Sequence, residues 1–356
     1  MIKYSIGIDI SKNDFHACLS YIDGKQQVKV VRSGSFKNNK SGFLEFIKWI
    51  TVNCTNKDIP LTILMEATGV YYENCALFLF GHGYSISVIL PNKSKKYISA
   101  LGIKTKNDKV DAKALSRMGA EQALDKWEPM GEFFYKLRSF TRHNQSLKEM
   151  HTVVSNQVEA AEQCMYPNKE IIQSLGKVIK LIDAQIKQNV KAISAHINSS
   201  PEVAEKIANI TAIKGVGELT VAVILAETNG FELFKSIAQL VSYAGYDVIE
   251  NQSGTHTGKT KISKKGNSRI RRILHMPALC LVTYKVKIFE DLYERTVNKH
   301  GIKMKSYVAI QKKLLTLIYT LWKKNEKFDE KYQSKTNTTG DVEVVHSSRH
   351  SFVEAE

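Results

Sequence analysis

The 356-residue chain has no Cys-x-x-Cys motif, and its five cysteines (Cys18, Cys54, Cys75, Cys164, Cys280) are scattered. That excludes a clustered zinc site and predicts reduced, mostly buried thiols in a cytoplasmic protein. Long apolar runs are missing too. The most apolar stretch, Cys75 to Leu90, is broken by His82 and two glycines, so no membrane span is expected. Met1-Ile2-Lys3-Tyr4 lacks the character of a secretory leader and enters a strand pattern directly. There is no internal repeat, and no recognition helix or zinc finger for reading DNA sequence stands out. Acid is in short supply: 35 Asp and Glu face 51 Lys and Arg, a net charge of +16. A pI of 9.4 favours a polyanionic partner, nucleic acid first and an anionic membrane surface second. With 43% hydrophobic residues, the chain can build two or three domains with real cores.

The few acids are placed suggestively. Lys3 to Ile10 is a strand pattern with Asp9 near its end, followed by two more strands, Phe15 to Ser20 and Gln27 to Ser33. Ser41 is the expected cap of a helix carrying Phe43, Leu44, Phe46, Ile47 and Ile50. Leu61 to Glu66 is a short apolar strand ending in a carboxylate, and Ser85 to Leu90 is another, stopped by Pro91. Strands alternating with helices predict an α/β layer, in which ligands gather beyond strand ends. In Lys104-Thr105-Lys106-Asn107-Asp108-Lys109-Val110-Asp111-Ala112, Asp108 and Asp111 open a helix three residues apart, hence on one face. Singly, each acid reads as a solvated chain end. Together, Asp9, Glu66, Asp108 and Asp111 suit one or two hard divalent cations such as Mg²⁺, which take oxygen ligands and leave room for phosphate.

The rest of the chain reads as helical. Gly131 to Met165 is one run. After Pro167 a second carries Ile172, Leu175, Ile179, Ile182, Ile186, Val190, Ile193 and Ile197, close to a heptad seam with one slip between Ile186 and Val190. The expectation is an antiparallel hairpin or a coiled-coil dimer contact, with ordinary amphipathic helices as the alternative. From Pro201, Ile213-Lys214-Gly215-Val216-Gly217 joins two helices, as a helix-hairpin-helix element that offers backbone N–H groups to phosphate, or simply as a tight turn. A polar, glycine-punctuated loop from Gly245 to Gly258 runs into Lys259, Lys261, Lys264, Lys265, Arg269, Arg271 and Arg272, the densest basic stretch. Ser253 and Thr255 are candidate nucleophiles in that loop. Ile302 to Lys324 is a last amphipathic helix, and the polar segment beyond Ser334 is expected to be disordered.

Taken in order, Ile6-Gly7-Ile8-Asp9-Ile10-Ser11-Lys12, Glu66-Ala67-Thr68-Gly69-Val70-Tyr71, Lys106 to Ala112, Ile213 to Gly217, and Ser253-Gly254 with Gly258 and Ile262-Ser263-Lys264-Lys265-Gly266-Asn267 resemble the DEDD transposases of bacterial insertion sequences, the "IS one-ten" family of bridge-RNA-guided recombinases. The likeness spans roughly the first 325 residues. It implies an α/β plus α chain: a RuvC-like, RNase H-type domain over residues 1–128, a helical coiled-coil hairpin over 129–200, a mainly helical transposase domain over 201–327 and a tail over 328–356. It implies Mg²⁺ on Asp9, Glu66, Asp108 and Asp111, and Ser253 as the residue that attacks DNA and is joined to phosphate. On the residues' own reading, Lys214, Gly215, Gly217 and the basic run are the expected nucleic-acid contacts. DNA, a structured guide RNA and further copies of the chain are the implied partners, with a composite site shared between protomers of a dimer or tetramer. One departure is visible: Val248 stands where the family carries a proline. Two other functions fit the residues less fully. One is a RuvC-like endonuclease using metal-activated water, and the other a non-catalytic nucleic-acid-binding regulator.

Overall fold

A computed structural model describes residues 1–330 except 104, 106, 251, 255, 259 and 260. Thr255, Lys259 and the tail from residue 331 onward lie outside the described residues. The chain divides into two compact units, Met1–Met130 and Gly131 onward.

Unit 1 begins with the expected three-stranded meander, β1 (Lys3–Ile10), β2 (Asp14–Ile22) and β3 (Val28–Lys37). Helix α1 (Lys40–Asn53) follows, then β4 (Leu61–Glu66), α2 (Glu73–Gly81), β5 (Ile86–Ile89), α3 (Pro91–Ala100) and α4 (Asp108–Glu121). The cap of α1 is Asn39, not Ser41: the Asn39 side chain accepts from the Gly42 N–H at 3.0 Å, and Ser41 falls inside the first turn. The sheet order is β3-β2-β1-β4-β5, with β1–β2 and β2–β3 antiparallel and β1–β4 and β4–β5 parallel. This mixed sheet fits the RuvC-like expectation.

Strand β1 is central, and its two faces meet different partners because side chains alternate. Tyr4, Ile6, Ile8 and Ile10 enter a core with Phe43, Phe46, Ile50, Cys75 and Leu79 from α1 and α2. Ser5 and Gly7 face α4. A Cβ on Gly7 would lie 2.1 Å from Ser116 N and 2.3 Å from the Ala112 carbonyl, and one on Gly119 would lie 2.4 Å from Ser5 Oγ. The helix backbone therefore rests directly on the strand. Residues 112–116 lie over residue 7 and residue 119 over residue 5, so α4 runs antiparallel to β1. Lys3 Nζ secures the far end, donating to the carbonyls of Gly119 at 2.6 Å and Gln122 at 3.2 Å, a C-terminal cap by a cation.

Unit 2 opens with two long helices, α5 (Glu132–Gln163) and α6 (Lys169–Asn198), packed on each other as an antiparallel hairpin. Its seam differs from the sequence reading at one place. Val190 is exposed, and the buried position is Asn189, which restores the three-four alternation after Ile186. A buried asparagine is invisible to a search for apolar periodicity. Next come α7 (Pro201–Thr211), α8 (Glu218–Thr228) and α9 (Ile237–Ala244). Four two-residue strands follow: β6 (Val248–Ile249), β7 (Gln252–Ser253), β8 (His256–Thr257) and β9 (Lys261–Ile262). The chain then forms α10 (Ser268–Ile273), α11 (His275–Thr283), α12 (Lys287–His300) and α13 (Lys303–Lys324). Between its two glutamates helix α8 is almost wholly apolar, and Val221, Ala222, Ile224 and Leu225 are fully buried at the centre of this core, as a helix with so little polar face must be. Among the described residues no helix is long and apolar enough to cross a membrane.

Candidate active site

The alternation that buries β1 also aims its acid. Asp9 shares a face with Gly7, the face on which α4 lies. On β4, Ile63 and Met65 enter the α1–α2 core, whereas Leu64 packs with Leu115 and Met118 of α4. Glu66 shares the Leu64 face. Because β1 and β4 are parallel with Ile8 opposite Met65, Asp9 and Glu66 are neighbours at the same end of the sheet. The antiparallel course of α4 brings its first turn, with Asp108 and Asp111, to that end. All four predicted acids thus gather on one face at one end of unit 1.

Asn107 starts α4 with a side-chain cap, accepting from Val110 N at 2.9 Å. Two acids in the first turn are favourable against the helix dipole, which offsets their mutual repulsion. Glu66 is held by Ser94 Oγ, which donates to Oε2 at 2.5 Å, and by Thr68 Oγ1, which donates to Oε1 at 3.3 Å. Ser94 is itself buried in the first turn of α3. His16, the strand partner of Asp9, places Nδ1 3.8 Å from Asp108 Oδ2. A cleft of about 290 Å³ opens beside His16 and is lined also by Gly34, Ser35, Lys109 and Ala112.

The donor chemistry fits a hard divalent cation: four carboxylates, oxygen only, at the mouth of a sheet. As posed, no three His, Cys, Asp or Glu side chains among the described residues stand close enough together to grip one ion. The acids are gathered but not closed on a point.

In unit 2, Ser253 is exposed on a two-tier ribbon. The lower tier pairs Val248 with Ile262 and Ile249 with Lys261; the upper pairs Ser253 with His256. Val248, in the place of the family's proline, is thus a strand residue. The ribbon's base is pinned. Ser263 donates through N to Asp247 O at 2.8 Å and through Oγ to Asp247 Oδ1 at 2.6 Å, and Lys264 N donates to Gly245 O at 3.1 Å. Gly245 has φ +74°, and a Cβ on Gly266 would lie 2.4 Å from the Tyr243 carbonyl. Only glycine permits that crossing.

The predicted nucleic-acid contacts divide. Lys261, Lys264, Lys265 and Arg272 are exposed, and Arg269 is partly so. Arg271 is occupied, with Nη1 donating to Ala244 O at 2.8 Å at the ribbon base. Lys214, Gly215 and Gly217 are exposed in the turn between α7 and α8. That turn leads into a helix whose first residue is Glu218, held by Ser194 Oγ, and a carboxylate there repels phosphate. Lys259 lies outside the described residues.

Sequence reasoning missed His16 and Ser94, which no local pattern marks. It also missed Glu227, an acid at the end of apolar α8 whose side chain is 1% exposed. The available signal was a lone carboxylate at the end of an otherwise apolar helix.

A transposase profile of the DEDD type matches residues 6–167, and the profile of the "Transposase IS116/IS110/IS902 family" matches residues 207–294. Two relatives called "Pilin gene-inverting protein", from Moraxella bovis and Moraxella lacunata, are each 30% identical over 335 residues, covering 93% of this chain and 99% of the relative. RuvC of T. thermophilus in complex with a Holliday junction substrate aligns with 35% of this chain and 99% of its own, at 12% identity and a TM-score of 0.26, too slight a likeness to carry an inference. With both profiles in order and near-complete coverage of its relatives, the chain belongs to the IS116/IS110/IS902 family of transposases and is a DNA recombinase.

Proposed function

We propose that this transposase cuts and rejoins DNA through Ser253, with Mg²⁺ held by Asp9, Glu66, Asp108 and Asp111, and with its sites chosen by a structured RNA. The observation that carries the proposal is the gathering of those four acids on the α4 face at one end of the unit 1 sheet. When bound there, the metal supplies the positive charge that polarises the scissile phosphate. Ser253 Oγ forms a bond to phosphorus as one bridging P–O bond breaks. The serine proton leaves, and the departing sugar oxygen takes up a proton. Attack by a sugar hydroxyl of another strand reverses these steps and frees the serine. Lysines 261, 264 and 265, exposed around the ribbon, stabilise charge on the phosphate during both attacks. Gene inversion, after which the Moraxella relatives are called, is one outcome of such cutting and rejoining.

RNA guidance is favoured by what the turn between α7 and α8 cannot do. Its second helix is buried over most of its length, which leaves it no free face to lay in a DNA groove. Base pairing then carries sequence while the basic surface reads backbone. A homo-oligomer is favoured by the hairpin, where Met150, Val153 and Val178 are exposed and line one groove with Val154 and Ile182.

The test is a denaturing gel of protein incubated with element-end DNA and its RNA. Wild type forms a covalent protein–DNA adduct. Ser253→Ala and Asp9→Asn form none, and wild type forms none when EDTA is present from the start of the reaction. Cutting that persists in Ser253→Ala would instead establish hydrolysis by metal-activated water.

A further inference from the structure

Glu227 is the most deeply buried acid of unit 2 among the described residues, and nothing in the proposed chemistry uses it. Its carboxylate takes a two-pronged hold from Arg142 of α5: Nε donates to Oε1 at 2.8 Å and Nη2 to Oε2 at 3.0 Å. Asn267 Nδ2 donates to Oε2 at 2.7 Å, and Arg269 Nε lies 3.9 Å from Oε1. Burial pushes the carboxyl up, but the bonds from Arg142 and Asn267 and the charges of Arg142 and Arg269 outweigh it, so Glu227 sits below the usual range. It is ionised at neutral pH.

One negative charge is therefore shared by two guanidinium groups, which leaves the cluster net positive. The two arginines are 43% and 40% exposed, whereas the acid between them is sealed. Asn267 connects this cluster to the serine ribbon. Its Oδ1 caps α10, accepting from Arg269 N at 3.0 Å and Ile270 N at 3.3 Å, and its own N–H donates to Tyr243 O at 2.7 Å. Tyr243 in turn donates its hydroxyl to the Glu227 carbonyl at 3.0 Å. A little further along the same two helices, Arg272 of α10 is paired with Glu149 of α5.

We propose that Glu227 is a positioning residue: it fixes Arg142 and Arg269 beside the base of the Ser253 ribbon as a preformed clamp for the phosphates of duplex DNA. The physical case is entropic. Arg142, gripped by two hydrogen bonds, has already lost the freedom that phosphate binding would otherwise take from it, and Arg269 is drawn to the same carboxylate by charge, its Nε making no hydrogen bond among the described residues. The clamp also places Arg142, from a hairpin helix the sequence reading left out of binding, in the DNA site. The proposal rests on the reading that the basic segment of unit 2 meets DNA.

The sign of one substitution separates positioning from bulk charge. Glu227→Gln makes the protein more basic, so bulk electrostatics makes DNA binding tighter. Loss of a clamp makes it weaker. Full-length wild type, Glu227→Gln and Glu227→Asp are titrated with a fluorescent duplex across a salt series, with circular dichroism and melting to establish folding. Folded Glu227→Gln binds roughly tenfold more weakly. Its slope of log affinity against log salt is shallower by roughly one to two, since each phosphate contact contributes about 0.9. Glu227→Asp, which keeps the charge, recovers part of both. Equal or tighter binding by folded Glu227→Gln overturns the proposal. If Glu227→Gln does not fold, Arg269→Lys, at a partly exposed position, decides: it keeps the charge, so bulk electrostatics leaves binding as in wild type and that result overturns the clamp, whereas roughly tenfold weaker binding supports it. A loss confined to a hairpin RNA of the same length overturns the assignment to DNA. Wild type that fails to bind the duplex, or binds it without salt dependence, overturns the reading that the basic segment of unit 2 meets DNA phosphates, and is told apart because no variant is needed to see it.

Discussion

Gly7 decides where the acids of unit 1 stand. Its missing Cβ lets the α4 backbone lie against β1, and any side chain there would meet Ser116 N and the Ala112 carbonyl, atoms that cannot swing aside. Gly7→Ala is therefore expected to lower the stability of unit 1 by on the order of 3 kcal/mol. It should also displace Asp108 and Asp111 from the end of β1. Gly176 is the opposite case. It lies inside α6 with nothing near the position of a Cβ, so Gly176→Ala gains helix propensity of about 1 kcal/mol. Urea unfolding midpoints that move in opposite directions for the two variants check the argument. Unchanged stability of Gly7→Ala would falsify the close-packed docking of α4. In the sequence Gly7 was visible only as a member of a motif. That it touches residues more than a hundred positions away follows from the sheet order, which local pattern does not contain.

Among the elements, the hairpin shows what periodicity reads and what it misses. The two long helices and their apolar seam were legible because Ile172, Leu175, Ile179, Ile182 and Ile186 recur at helical spacing. The strand-end acids Asp9 and Glu66 were legible because apolar runs stop beside them. The buried polar residues were not. The His151–Asp183 pair and the bond between His196 Nε2 and Phe133 O set the hairpin's register, and between them Asn144 of α5 comes level with Asn189 of α6. Both are buried, and Asn144 Nδ2 and Asn189 Oδ1 have no hydrogen-bond partner among the described residues. Leaving such groups unmade costs about 1–3 kcal/mol each. Asn144→Leu with Asn189→Leu should consequently raise the melting temperature of the hairpin-containing unit, while Asn189→Asp, a buried charge facing an amide, should lower it sharply. A double variant that melts below wild type shows that the two asparagines contribute a specific contact rather than a shared penalty.

For the whole molecule, the essential fact is that the acids belong to one compact unit and the serine to the other. A composite site, with the acids of one protomer serving the serine of its partner, makes a prediction that a site within one chain does not. Neither Asp9→Asn nor Ser253→Ala forms a DNA adduct alone. In a mixed dimer, one of the two composite sites combines intact acids from the Ser253→Ala chain with an intact serine from the Asp9→Asn chain. The other site carries both lesions. Mixing the variants, each with a tag of different size, should therefore restore adduct formation, and the adduct should run only with the Asp9→Asn tag, because that chain alone retains the nucleophile. A site built within one chain predicts no adduct from any mixture, since every site then carries a lesion. A chain carrying both substitutions, mixed with either single variant, serves as the control, since no pairing with it assembles an intact composite site. An adduct on the Ser253→Ala chain would show that another residue attacks the phosphate, and would end the case for Ser253 while leaving the proposed metal-binding role of the unit 1 acids open to its own test.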